Sequence, residues 1–238
     1  MAMAEFKEKI KKEAEQLVND VFLKKVQELD DLLLSPLFAN KDLNLLHMDI
    51  NIPVPPPAGG AANCDGMPVK KRKLDVVENE IGSPVFVLPL GSAPSNKHIV
   101  EIIDTMKPNI QQLIDHTNKV KMWIQFLIPR IEDGNNFGVS IQEETLAEVR
   151  TVEGEAASFL DQISRYFITR AKIISKVAKY PHVDDYRRAI DELDEKQFIS
   201  LQLVCCELRN NYSVLHDLIT KNIDKIKRPR TAHNHSLY

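Results

Sequence analysis

The chain has 238 residues, room for one large domain or two small ones, and its 6% aromatic and 27% charged content with 8 scattered glycines favours an all-helical protein. A net charge of −3 supplies no global field that would call for nucleic acid or an anionic membrane as partner. No run approaches the roughly 18 apolar residues of a membrane span, and the opening stretch, charged from residue 5 onward, lacks the apolar core of a signal peptide.

The first predicted helix runs from about Ala4 to Leu34, where Phe6, Ile10, Leu17, Val21, Val26, Leu29 and Leu33 recur at steps of three to five residues. An interruption follows, about Ser35 to Pro94, holding nine of the 13 prolines and five of the 8 glycines. Its Pro53, Pro55, Pro56, Pro57, Gly59 and Gly60 cannot sit in a helix, so residues 35–94 are expected to form a flexible linker, ordered in part where Val85–Leu88 can dock. The second helix is expected from an N-cap at Ser95 to about Ile131, with the stripe Ile99, Ile103, Met106, Ile110, Leu113, Val120, Trp123, Leu127, Ile131 and with Pro108 and Pro129 weakening it. The third begins after Ser140, which with Glu143 reads as a capping box, and ends by Tyr180 ahead of Pro181. The fourth starts near Asp184 and Asp185, which suit a helix N-terminus, and stops at Pro229.

These segments make residues 1–34 the first helix, 35–94 the linker and 95–238 the remaining three helices with their loop and tail. The fold class is all-α: an elongated antiparallel four-helix bundle, its helices on the order of 45 to 65 Å long at about 1.5 Å per residue. Apolar residues off the main stripes (Leu32, Leu34, Ile102, Ile114, Ile128, Ile168, Ile173, Ile199) are expected to face a neighbouring copy. Cys205 and Cys206 point about 100° apart on a helix, which suits packing or surface roles better than joint metal ligation, and with Cys64 they make no disulfide framework.

Three stretches lie outside the helical pattern. Residues 132–140 hold Glu132, Asp133, Gly134, Asn135, Asn136, Phe137 and Gly138, a compact loop between two helix ends. The glycines admit backbone angles that other residues resist, and the asparagines bond locally. Such a loop suits pressing on another molecule; the simpler reading is a helix connection. Lys70, Lys71, Arg72 and Lys73 form a cation run in the linker that fits the acidic groove of a nuclear import carrier, or is a solvated charge run. The tail, residues 231–238, ends in Ser236, Leu237 and Tyr238 and is either frayed or a peptide whose carboxylate enters a pocket. His233 and His235 there are weak metal evidence, and the chain shows no nucleophile with its base, no phosphate loop and no purposeful carboxylate pair.

Together the loop, the tail and the basic linker resemble the 11S regulator family of proteasome activators, and within it the gamma type. The resemblance covers nearly the whole chain and is densest over Val120–Ile124, Arg130–Val139, Asp161–Tyr166, Ala178–Val183 and Lys225–Arg230. It implies a homoheptameric ring of four-helix subunits that caps the 20S proteasome α-subunit ring and opens its gate without ATP, ubiquitin or a cofactor, so that peptide and protein substrates enter. By the same resemblance His235, Ser236, Leu237 and Tyr238 dock between α-subunits, while Glu132–Ser140 is the activation loop, with Asn135 its key residue. The implied location is nuclear with a cytoplasmic fraction. The rival readings are an amphipathic helical scaffold or lipid-binding bundle, disfavoured because the polar faces mix Glu with Lys, and an unrecognised hydrolase.

Overall fold

A carboxylate buried at one end of the molecule organises the chain. In the computed structural model, which describes residues 2–39, 42–55, 91–132, 134 and 136–230, Asp194 is 2% exposed and accepts hydrogen bonds from three other side chains. Tyr166 Oη donates at 2.9 Å, Asn96 Nδ2 at 2.8 Å and Arg170 Nε at 3.0 Å. Arg170 Nη1 continues to the Pro94 carbonyl at 3.0 Å, and Asn96 Nδ2 also reaches the Leu46 carbonyl at 2.9 Å. Each ion would cost several kcal/mol to bury alone; the pairing and added donors offset that penalty. Burial, then the neighbouring Asp194 charge, holds the Tyr166 phenol far above its usual range.

The elements joined there are α-helical. The first predicted helix comprises α1 (Ala2–Gln16), a π-helical turn (Leu17–Val21) and α2 (Phe22–Leu34). The Phe22 N–H bonds the Leu17 carbonyl, five residues back, so the wide turn keeps Leu17 and Phe22 in the core across a five-residue step. Short α3 (Pro36–Ala39) and a 3-10 turn (Leu43–Leu46) follow, then α4 (Lys97–Leu127), α5 (Phe137–Lys179), α6 (Asp184–Lys221) and α7 (Ile223–Lys227).

Contacts at successive heights fix the directions. Phe6 meets Phe126 and Glu13 pairs with Lys119 at 2.9 Å, so the first helix and α4 are antiparallel. Lys121 with Glu153 and Arg170 with the Pro94 carbonyl make α4–α5 antiparallel, and Arg170 with Asp194 and Gln142 with the Ile226 carbonyl do the same for α5 and the last helical stretch. Arg209 with Asp30 and Lys227 with Glu15 close the circuit. The result is the expected up-down-up-down bundle. Its core is apolar: Phe22 sits 5.2 Å from Tyr212, centroid to centroid, and Trp123, Ile99, Leu113, Val149 and Leu208 are buried along its length. Cys205 is buried as expected of a packing residue; burial pushes its thiol up to about 12, which leaves it protonated and unreactive.

Several boundaries differ from the sequence reading. Asn96, not Ser95, caps α4, because its Oδ1 accepts from the Ile99 N–H at 3.3 Å while its amide serves Asp194. Pro108 lies within α4, whereas Pro129 ends it at Leu127: Ile128, the residue before that proline, takes an extended conformation. Ile131, expected on the stripe, is fully exposed. Ser140 caps nothing. It lies in the first turn of α5, its N–H and Oγ both bonded to the Asn136 carbonyl, so the capping box with Glu143 is not formed. Ile102 belongs to the core instead of an outer face.

The described part of the expected linker is docked. Phe38, Leu46, Ile50 and Ile52 are buried, the last two against Val177 and Ile190 in a second small core. Asn51, at φ +60°, turns the chain there; its N–H bonds Asp49 Oδ1 at 2.8 Å, and its side chain reaches the Ser92 carbonyl at 3.3 Å. His47 bonds Glu195 at 2.6 Å and Arg187 Nη2 bonds the Ile52 carbonyl at 2.8 Å. Val85–Leu88 lie outside the described residues.

Replacing Asp194 by Ala strands the Arg170 charge and leaves Tyr166 and Asn96 short of an acceptor. The expected loss is about 3–5 kcal/mol. Thermal denaturation at fixed protein concentration should show a melting point lower by roughly 6–20 °C.

Candidate functional loop and the C-terminal stem

The end of the bundle opposite Asp194 gathers the start of α1, the α4–α5 loop and α7. Gln142 builds this end. It is fully buried, and its Nε2 donates to the Leu127 carbonyl at 3.1 Å and to the Ile226 carbonyl at 2.7 Å. Those carbonyls belong to the last turns of α4 and α7, where helices leave acceptors unsatisfied. One amide thus ties both helix ends to the start of α5. The sequence reading passed over Gln142. Its signal was a polar residue on the buried stripe, four residues before Leu146.

The two loop glycines do different things. Gly134 takes φ +75°, the left-handed region, and reverses the chain early enough for α5 to begin at Phe137. Gly138 is an ordinary helical residue. It is required by space: a Cβ there would stand 2.0 Å from the Pro229 carbonyl oxygen. The stem after α7 therefore lies directly on the first turn of α5. The expectation that both glycines serve backbone angles holds for Gly134 alone.

Arg230 extends this contact to the loop. Its Nη1 donates to Glu132 Oε2 at 2.8 Å and its Nη2 to Asn136 Oδ1 at 3.2 Å. Arg130 pairs with the other Glu132 oxygen, and Asn136 Nδ2 reaches the Glu132 carbonyl at 3.3 Å. A hollow of about 330 Å³ lies beside these groups, lined in part by Ile128, Val139 and Glu143. Phe137 and Ile131 project outward, 72% and 101% exposed. The position of Arg230 beyond a helix-ending proline carries no sign of this contact in the sequence.

Of the proposed loop residues, the structure brings Glu132, Gly134, Asn136, Phe137 and Gly138 together, while Asp133 and Asn135 lie outside the described residues. Ser236, Leu237 and Tyr238 of the tail, with His233 and His235, also lie outside them, as do Lys70, Lys71, Arg72, Lys73 and Cys64. Among the described residues no group of three or more His, Cys, Asp or Glu could hold a metal ion, and no helix is long and apolar enough to cross a membrane.

Comparison with known proteins agrees with this architecture. The family model for proteasome activator PA28, C-terminal, matches residues 92–236, and its N-terminal counterpart matches residues 1–57. Proteasome activator complex subunit 3 of Homo sapiens is 57% identical over 98% of this chain and 93% of its own length, and that of Gallus gallus is equally similar. Among solved structures, the 11S subunit of the Plasmodium falciparum proteasome, PA28, is 33% identical with a TM-score of 0.72 over 96% of this chain and 93% of that one. A chain of the archaebacterial 20S proteasome–PA26 complex shares the fold at 14% identity and a TM-score of 0.57, over 61% of this chain and 73% of that one. With matches to both halves and this level of identity, the chain belongs to the PA28 family of proteasome activators, also called 11S regulators.

Proposed function

We propose that the protein is a non-enzymatic activator that docks on the 20S proteasome and opens its gate to peptides and some proteins; that its relatives are named proteasome activators supports the reading. The observation that carries this reading is the placement of the loop and the C-terminal stem at one end of the bundle, joined through Arg230, Glu132 and Asn136. An activator needs two kinds of contact on one face: one to bind, one to favour the open gate. The tail ending in Ser236, Leu237 and Tyr238 supplies the first in this reading, and the loop around Asn135 the second. Family membership displaces the lipid-binding and scaffold alternative.

A ring of identical subunits needs a heterologous interface, two different faces that fit each other. An apolar patch on one side of the bundle and an exposed isoleucine on another support a homoheptamer. Leu34, Ile199 and Leu203 stand 75%, 44% and 59% exposed on α2 and α6, where Leu34 and Ile199 border a groove of about 420 Å³. Ile168, 56% exposed, projects from α5, which lies across the bundle from the first helix. The native particle should have the mass of seven copies of 27.1 kDa, about 190 kDa. Leu203→Glu should lower that mass and leave the helical content unchanged; a wild-type particle of one or two subunits overturns the ring.

Binding and activation should be separable. Seven tethered tails act at high effective concentration, so a small loss per tail multiplies. Deleting Ser236–Tyr238 should keep the ring mass and abolish co-sedimentation with the 20S proteasome. Asn135→Tyr should do the reverse: the ring competes with wild type for the proteasome, yet fluorogenic peptide hydrolysis stays near the basal rate, because docking that favours neither gate state shifts nothing. Full stimulation by the Asn135→Tyr ring would make the loop a connector only.

Nuclear enrichment follows in this reading from Lys70, Lys71, Arg72 and Lys73 engaging an import carrier. Changing all four to Ala should move a tagged protein toward the cytoplasm with the ring intact, and an unchanged nuclear signal removes the assignment.

A further inference from the structure

The geometry points to Arg230 as a positioning residue, a strut at the root of the tail that holds the base of the loop in shape. This inference rests on the loop and tail roles proposed above. Arg230 is the residue immediately before the tail, and its backbone position is set from behind. Pro229 has a fixed φ and lies so close to Gly138 that no side chain fits between them. Arg230 is therefore braced against α5 by its own neighbour in the chain.

From that braced position the guanidinium reaches both sides of the loop's base. Nη1 holds Glu132 on the entering strand of the loop and Nη2 holds Asn136 on the leaving one. Asp133, Gly134 and Asn135 lie between these two anchors, and the Asn136 side chain bonds the Glu132 carbonyl, closing the base. Glu132 also carries Arg130, so its carboxylate is shared by two guanidiniums. The Arg230 side chain is 21% exposed, and its Nε is enclosed with no hydrogen-bond partner, so the residue is held by its two amino groups. A planar fork can satisfy two acceptors in different directions at once; a lysine ammonium is a single charge and serves one of them well.

Partly exposed ion pairs of this kind are individually weak, so the strut biases the loop and does not lock it. A gate held by several loops at once is sensitive to such a bias. Removing the strut leaves the tails free to dock while each loop samples more positions. The loss then falls on how far a docked ring opens the gate, not on how tightly it docks.

The test titrates the 20S proteasome with full-length rings of wild type, Arg230→Ala, Arg230→Lys and Glu132→Ala. Half-saturating concentration is read by co-sedimentation, and the plateau of fluorogenic peptide hydrolysis at saturation. For Arg230→Ala and Glu132→Ala the half-saturating concentration should stay within about threefold of wild type while the plateau falls by about threefold or more. Arg230→Lys should lie between them and wild type. Wild-type plateaus in both Ala variants overturn the strut, and so does a loss confined to the half-saturating concentration, which would place Arg230 in tail docking alone. If Arg230→Ala fails to assemble, Glu132→Ala, a change at a loop side chain 42% exposed, decides the question by the same readings. A wild-type ring that docks without stimulating overturns the proposed activity itself, a result visible before any variant is compared.

Discussion

A charge taken out of water must be met by partners, and the Asp194 carboxylate is met by Asn96, Tyr166 and Arg170. Through them α4, α5 and α6 are held at fixed heights, and through Asn96 and Arg170 the backbone at Leu46 and Pro94 is drawn in as well. An apolar stripe tolerates sliding by a turn, since one Leu or Ile replaces another with little penalty. A buried ion pair does not, because a slipped register would leave a charge without its donors. The lengths of three long helices are measured from this point, and so is the height of whatever their other ends present.

The opposite end is closed by neutral and half-exposed polar contacts. Gln142 satisfies carbonyls of two helix ends, Gly138 admits Pro229, and Arg230 reaches Glu132 and Asn136. The contrast in burial has a consequence. Asp194 and Arg170 are nearly sealed, whereas Glu132 and Arg230 are 42% and 21% exposed. Stiffness is thus concentrated away from the loop, and the loop end keeps room to adjust. That division suits a protein whose working surface must meet another molecule while its scaffold stays unchanged.

The docked segment 42–55 adds a second layer to the stiff end. Ile50 and Ile52 pack with Val177 and Ile190, and Asn51 bonds the Ser92 carbonyl across the chain. The stretch leading up to Pro55 and the stretch that begins at Gly91 both lie at the end that carries Asp194.

Helical periodicity made the four rods, their antiparallel order and most of the buried stripe legible, because a 3.6-residue repeat of apolar side chains depends on local geometry alone. Gly134 was legible too, since a reversal between helices calls for a residue that accepts positive φ. The polar residues that close the two ends were not. Gln142, Asp194 and Arg230 look like surface residues one at a time; each is placed by partners 15 to 98 positions away in the chain. Ser140 suits a cap and Gly138 an unusual backbone angle by their neighbours in sequence, yet an earlier helix start and the approach of Pro229 decide otherwise. Local hydrophobic pattern determined the rods, and long-range polar complementarity, which exists only once the rods are packed, decided where they end and what those ends hold in place.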